Sequence, residues 1–237
     1  MWKLEGFDST EFIRQYWQKK PCVIRKAFPG FESLVSPEEL AGLACEDDVH
    51  CRLVIENTEA GPWQVSYGPF EDQDFLDLPE THYSLLVSEC EKWLPELTDL
   101  LDQFRFIPDW RIDDLMISYA PEDGSVGPHV DAYDVFLLQA MGSRRWQFCD
   151  SPCEQPELIA GLELAILKQF EPDQELILNP GDMLYLAGGF AHHGVAIDRC
   201  MTYSIGFRAP TAASALESFA LESESLGNLV ERFTDAD

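Results

Sequence analysis

His129 and Asp131 stand two residues apart in Gly127-Pro128-His129-Val130-Asp131, and a third candidate ligand closes Gly189-Phe190-Ala191-His192. Two imidazoles and one carboxylate make up a facial triad that leaves coordination positions open, an arrangement suited to non-haem Fe(II) and oxygen chemistry. Side chains at i and i+2 of a strand share a face, so His129 and Asp131 can reach one ion from one strand. The third ligand must then arrive from a different strand. A His-x-Asp pair is a common accident, so its weight here depends on what surrounds His192.

Those surroundings are ordered. Asn179-Pro180-Gly181-Asp182 reads as a tight turn, Met183-Leu184-Tyr185-Leu186 as a short buried strand, and Ala187-Gly188-Gly189 as a second turn. Turn, strand, turn, histidine is similar to the second cupin motif, with Ala187 where that motif usually has proline. Neighbouring side chains on extended backbone point opposite ways, so only one of His192 and His193 can bind the ion. The motif spacing selects His192 and leaves His193 expected at a rim or on the surface.

On the stretch after Met141-Gly142-Ser143, Arg144, Trp146 and Phe148 alternate with Arg145 and Gln147. The aromatic face should be the inward one, which carries Arg144 inside and Arg145 to solvent. A buried guanidinium needs an anionic partner. The partner is either an internal carboxylate or the far carboxylate of a 2-oxoacid co-substrate, which an arginine fork grips at two points. Met201, Tyr203, Ile205 and Phe207 form one face of a later strand, and Thr202, Ser204 and Gly206 the other. That strand is either half-exposed or places Thr202 and Ser204 in the metal cavity. Asp114, Met116 and Ser118 likewise share a face, and Tyr133 lies on the side of His129 and Asp131.

These residues need a framework. The 237-residue chain is long enough for one large β domain or two small ones. Residues 1–105 mix helical and extended signals and read as scaffold elements of the same domain. Ser9 to Lys19 is expected as an amphipathic helix, with Phe12, Tyr16 and Trp17 on one side. Ser36-Pro37-Glu38-Glu39 is a helix start with a capping box. A hairpin is expected around Gly61-Pro62, and the leucine spacing from Tyr83 to about Phe104 predicts a helix. Residues 106–210 turn β-rich, with short strands and frequent turns, which predicts a mainly β jelly roll with flanking helices as the catalytic core. Residues 211–237 return to a helical pattern.

Charge limits the partners. The chain has 16 basic and 43 acidic residues, a formal charge of −27, which repels phosphate backbones and favours basic proteins over direct nucleic-acid contact. The seven cysteines are odd in number and read as reduced thiols. No signal-like or membrane-spanning stretch is visible, so a cytoplasmic protein with no membrane partner is expected.

Taken together, Asp113-Asp114-Leu115-Met116-Ile117-Ser118, Gly127-Pro128-His129-Val130-Asp131-Ala132-Tyr133-Asp134, Arg144-Arg145-Trp146 and Tyr203-Ser204-Ile205-Gly206-Phe207-Arg208 resemble the bacterial JmjC-type ribosomal oxygenases. The resemblance spans nearly the whole chain. It implies a double-stranded β-helix of cupin type that uses Fe(II) as metal and 2-oxoglutarate as co-substrate to hydroxylate an arginine of a basic large-subunit ribosomal protein. His129, Asp131 and His192 would hold the metal and carry catalysis. Arg144, Ser118 and Thr202 would bind the co-substrate, and Asp114, Met116, Tyr133 and Ser204 the substrate. Thr202 stands where relatives can carry asparagine. The family continues into a helical dimerisation region and a winged-helix domain, so residues 211–237 are expected to begin the former, with a homodimer where those domains exist. A JmjC-type demethylase and a non-catalytic metal-binding cupin are the alternatives. An open triad beside Arg144 argues against the latter, because structural metal sites are normally closed.

Overall fold

The computed structural model describes residues 2–58, 61–210, 212, 213, 216, 219 and 220. Twelve strands among them run β1 (Cys22–Ile24), β2 (Cys51–Thr58), β3 (Gly61–Tyr67), β4 (Tyr83–Val87), β5 (Ile112–Ala120) and β6 (His129–Val130), then β7 (Asp134–Met141), β8 (Arg144–Pro152), β9 (Gln174–Leu178), β10 (Met183–Leu186), β11 (Phe190–Ala196) and β12 (Cys200–Phe207). They form an eight-stranded sheet ordered β1-β10-β7-β12-β5-β4-β2-β3 and a four-stranded sheet ordered β6-β11-β8-β9, with antiparallel pairing throughout. This is the double-stranded β-helix expected from the sequence.

Period-two alternation on the central strands sends one set of side chains to each face of the large sheet. Phe136 and Leu138 of β7, with Tyr203, Ile205 and Phe207 of β12, face a large aromatic cluster that also takes in Phe12, Phe28, Phe31 and Phe104. Val135 and Leu137 of β7, with Leu184 and Leu186 of β10, face the small sheet and pack on Trp146, Phe148 and Leu178. Every residue of β12 is buried, which removes the half-exposed reading of that strand. The candidate site lies between the two sheets.

The helices cap the outer face. In α1 (Ser9–Gln15), the Asp8 side chain accepts from the Glu11 N–H. The helix stops short of the expected Lys19: Tyr16 closes it and Gln18 takes φ +58. Tyr16 and Trp17 still pack on the aromatic cluster. In α2 (Pro37–Leu43), Ser36 and Glu39 make both bonds of the expected capping box.

The hairpin expected around Gly61-Pro62 forms as β2 paired with β3, with Thr58 opposite Gly61 and so with Gly61-Pro62 inside β3. One other expectation fails. Tyr83–Phe104 is not one helix: Tyr83–Val87 is an interior strand between β2 and β5, followed by short turns of 3-10 helix and a four-residue helix (Thr98–Leu101). Pro95, within the leucine pattern, cannot sit inside a continuous helix, and Leu85 and Val87 bury better as alternating strand residues.

Met1–Phe207 make one compact unit, and Arg208–Asp237 separate as another. Of the helix expected over 211–237, Ala212, Ala213, Leu216, Phe219 and Ala220 are helical and the remainder lies outside the described residues. No helix among the described residues is long and apolar enough to cross a membrane.

Candidate active site

Strands β6 and β11 pair so that His129 lies opposite His192, with ring centroids 4.3 Å apart. Asp131, just past β6, brings Oδ2 to 3.8 Å from His129 Nε2 and 3.6 Å from His192 Nε2. One ligand atom from each residue lies within 4.8 Å of the others, so a single ion can touch all three. Each Nδ1 is turned to a backbone carbonyl, Gly127 for His129 at 2.9 Å and Phe190 for His192 at 3.0 Å. An Nδ1–H donating there leaves the Nε2 lone pairs aimed at the centre of the cluster. Burial, and then the neighbouring His129 ring, push the His192 pKa down to about 4. His192 is therefore a neutral imidazole near pH 7, the form that ligates a metal.

The turns explain how residues so distant in sequence meet. Gly181 sits at φ +86, where a side chain would be strained and its Cβ would lie 2.4 Å from the Phe28 carbonyl. That turn launches β10. Gly189, at φ +90, then donates its N–H to the Asp131 carbonyl at 2.7 Å. The turn that delivers His192 is thereby tied to the backbone of the carboxylate ligand.

Arg144 and its neighbours follow the expected alternation: Arg144, Trp146 and Phe148 are buried and Arg145 is exposed. The Arg144 guanidinium donates to Ser118 Oγ at 3.4 Å, Thr202 Oγ1 at 3.2 Å and the Gly124 carbonyl at 3.4 Å. All three acceptors are neutral. Arg144 Nε and Trp146 Nε1 are buried with no hydrogen-bond partner, and no ion pair to Arg144 occurs among the described residues. The internal-carboxylate alternative is thus absent there. An unbalanced buried cation costs several kcal/mol, roughly, and an anion that fits beside it recovers that cost.

The remaining expected residues line the same face. Met116 pairs with Ser204 and Ser118 with Thr202 across β5 and β12. Near the Asp114 end, a Cβ on Gly206 would lie 3.1 Å from Asp114 Oδ1 and 3.7 Å from Tyr133 Cε2. Glycine at 206 keeps the space between those two side chains open. Arg111 reaches Asp134 at 3.7 Å.

Sequence reasoning missed three contributors. Gln139 Oε1 accepts from Thr202 Oγ1 at 3.2 Å and so orients the hydroxyl that Arg144 uses. It could have been found as the lone polar residue on the Val135-Leu137-Gln139 face. The Gly124 carbonyl left no signal in side-chain type. His193 is half-buried against the Phe170 ring, within 2.9 Å of Ser125 Oγ, and burial pushes its pKa down to about 4. His193, expected at a rim or on the surface, is partly covered there by the loop carrying Ser125.

Comparison with known proteins points the same way. Residues 99–215 match the JmjC domain. The chain is 43% identical over 229 residues to the ribosomal protein uL16 3-hydroxylase of Escherichia coli, covering 92% of this chain and 58% of that protein. A probable ribosomal oxygenase of Haemophilus influenzae is 42% identical over 217 residues, covering 88% and 52%. The structure of the Escherichia coli ribosomal oxygenase YcfD in complex with cobalt and 2-oxoglutarate superposes with a TM-score of 0.86 at 40% identity, over 100% of this chain and 61% of that one. The chain thus spans between half and two thirds of the length of these relatives.

Proposed function

The chain belongs to the JmjC-domain proteins and is similar to bacterial ribosomal oxygenases over most of its length, and from that premise we propose an Fe(II)- and 2-oxoglutarate-dependent hydroxylase of a basic ribosomal protein, acting on an arginine side chain. The observation that carries the reading is Arg144, a buried cation with neutral partners on the same inner face as an open His-Asp-His cluster. A dicarboxylate with a 2-oxo group fits both. His129, Asp131 and His192 would hold the metal ion, and Arg144, with Ser118 and Thr202, would hold the far carboxylate of the co-substrate. Fe(II) and 2-oxoglutarate, when bound, supply the oxygen activation that hydroxylates a C–H bond.

The residues of the chain do the remaining work. Neutral His192 presents Nε2 without first losing a proton. Gln139 holds Thr202 so that its hydroxyl oxygen faces Arg144. Packing of Trp146, Leu137 and Leu184 excludes water from the closed end. At the open end Asp114 offers charge, Tyr133 an aromatic wall and Met116 an apolar one, and a target guanidinium satisfies all three. Gly206 leaves the width for it.

Anaerobic reconstitution with Fe(II), then addition of oxygen and 2-oxoglutarate, tests the reading through succinate release with and without basic ribosomal proteins. The expected result is target-dependent turnover and one added oxygen on an arginine by mass spectrometry. Oxygen on another residue type overturns the arginine assignment. No turnover with any target favours a metal-binding module.

A further inference from the structure

Beyond the chemistry above, the outer side of the large sheet carries an open groove of about 480 Å³ beside α2. Val35, Leu43 and Leu94 form its apolar floor, and Glu39, Glu46 and Glu96 its rim. Glu39, Gly42, Leu43 and Glu46 follow the i, i+3, i+4, i+7 spacing, so one stripe of α2 and its following turn makes a wall. Leu40 and Ala44, on another side of the helix, bury into the aromatic cluster. The groove stripe is therefore the part of the helix that the fold leaves over.

Gly42 is informative. Glycine disfavours a helix interior, and a Cβ here would meet nothing within 4 Å. No close approach inside the fold requires it; its effect is to deepen the groove. Leu34, at the opening, is 38% exposed. Among the described residues no basic side chain lines the groove, and none of the three glutamates forms an ion pair.

We propose that this groove binds a basic segment of a partner protein, with an apolar side chain on the floor and arginine or lysine at the rim. Charge complementarity selects that occupant. Three carboxylates around an apolar floor repel one another and any acidic visitor, and a cation relieves both. The chain's own stretch 221–237 has the wrong sign, with Glu222, Glu224, Glu231, Asp235 and Asp237 against Arg232. A second copy, carrying a formal charge of −27, is disfavoured for the same reason.

Fluorescence anisotropy with a labelled amphipathic peptide, bearing leucine and arginine on one face, tests this on the whole chain. Binding should weaken with salt, and Gly42→Trp should weaken it roughly tenfold or more by filling the groove. The Glu46→Gln, Glu96→Gln double variant should lose affinity and much of the salt dependence, which keeps a readout even where tryptophan perturbs α2. Metal titration should be unchanged in every variant, since the groove and the triad lie on opposite faces of the sheet. Unaltered binding by Gly42→Trp, or equal binding of a matching glutamate peptide, overturns the proposal. So does a dimer that Gly42→Trp dissolves, since that outcome assigns the groove to a second copy.

Discussion

On the outer face of the eight-stranded sheet, Phe136, Tyr185, Tyr203 and Phe207 are fully buried, and the tyrosine hydroxyls are satisfied by Asp134 at 2.5 Å and Ser33 at 2.9 Å. On the inner face β5 and β12 present Ser118 and Thr202 to a guanidinium whose Nε has no partner, with Ser204 and Gly206 further along. The outer face uses large rings and closed hydrogen bonds, which stabilise. On β5 and β12 the inner face uses small side chains and holds polar groups unmet, which is tolerable only where a ligand completes them, while β7 and β10 pack Val135, Leu137, Leu184 and Leu186 on the small sheet. Alternation along β5 and β12 thus sets stability on one side and chemistry on the other.

The contrast can be broken most sharply at Asp131. Asp131→Ala should abolish Fe(II) binding and turnover, read by metal titration and succinate release, while the melting temperature stays nearly unchanged. A large loss of stability would mean that the inner face also holds the fold. On the opposite side, Phe136→Ala should cost about 3–5 kcal/mol in urea unfolding through the cavity it leaves. Ser204→Ala should cost far less than that, and similar costs for the two would erase the distinction between the faces.

Arg144 sharpens it further. Arg144→Ala should raise the 2-oxoglutarate requirement by about 2–5 kcal/mol, and Arg144→Lys should recover only part because an ammonium cannot fork. Arg144→Met should melt higher than the parent in the absence of co-substrate, since it removes an unbalanced buried charge. Unchanged co-substrate affinity in Arg144→Ala would move the anion site elsewhere.

A smaller test lies further along the inner face, on β2. Burial, and then Asp123, raise the Glu56 pKa from 4.5 to about 7, and its Oε1 is buried without a partner. A carboxyl group raised on folding favours the folded state when protonated. That contribution is complete below pH 4.5 and is lost as pH climbs through about 7. Glu56→Gln should flatten the corresponding decline in melting temperature, and a decline that persists in this variant would locate its source in another group. The smallest effect belongs to His193→Ala, which should lose about 1 kcal/mol of stability with its Ser125 contact and keep full turnover. Loss of activity there, with His192→Ala active, would reverse the assignment of the distal ligand.

Local rules went far with this chain. Two-residue spacing placed His129 and Asp131 together, alternation turned Arg144 inward, and Ser36 with Glu39 marked the start of α2. Each of these is decided by a few neighbouring residues and the geometry of one element. The stretch from Tyr83 to Phe104 was illegible for the converse reason. Its leucines satisfy a helical period, but Leu85 and Val87 gain more as part of an interior strand between β2 and β5, and that choice needs strands far away in sequence.

Residue type and facing could be read along the chain: which side chains could ligate and which would go inside. The partnerships came from packing between distant segments. It set Arg111 on Asp134, His193 beneath the Ser125 loop, Gln139 behind Thr202, and Arg144 among neutral acceptors. Facing is a property of the local backbone repeat, whereas a counter-charge is supplied by whichever distant segment packs alongside, and no local pattern encodes that.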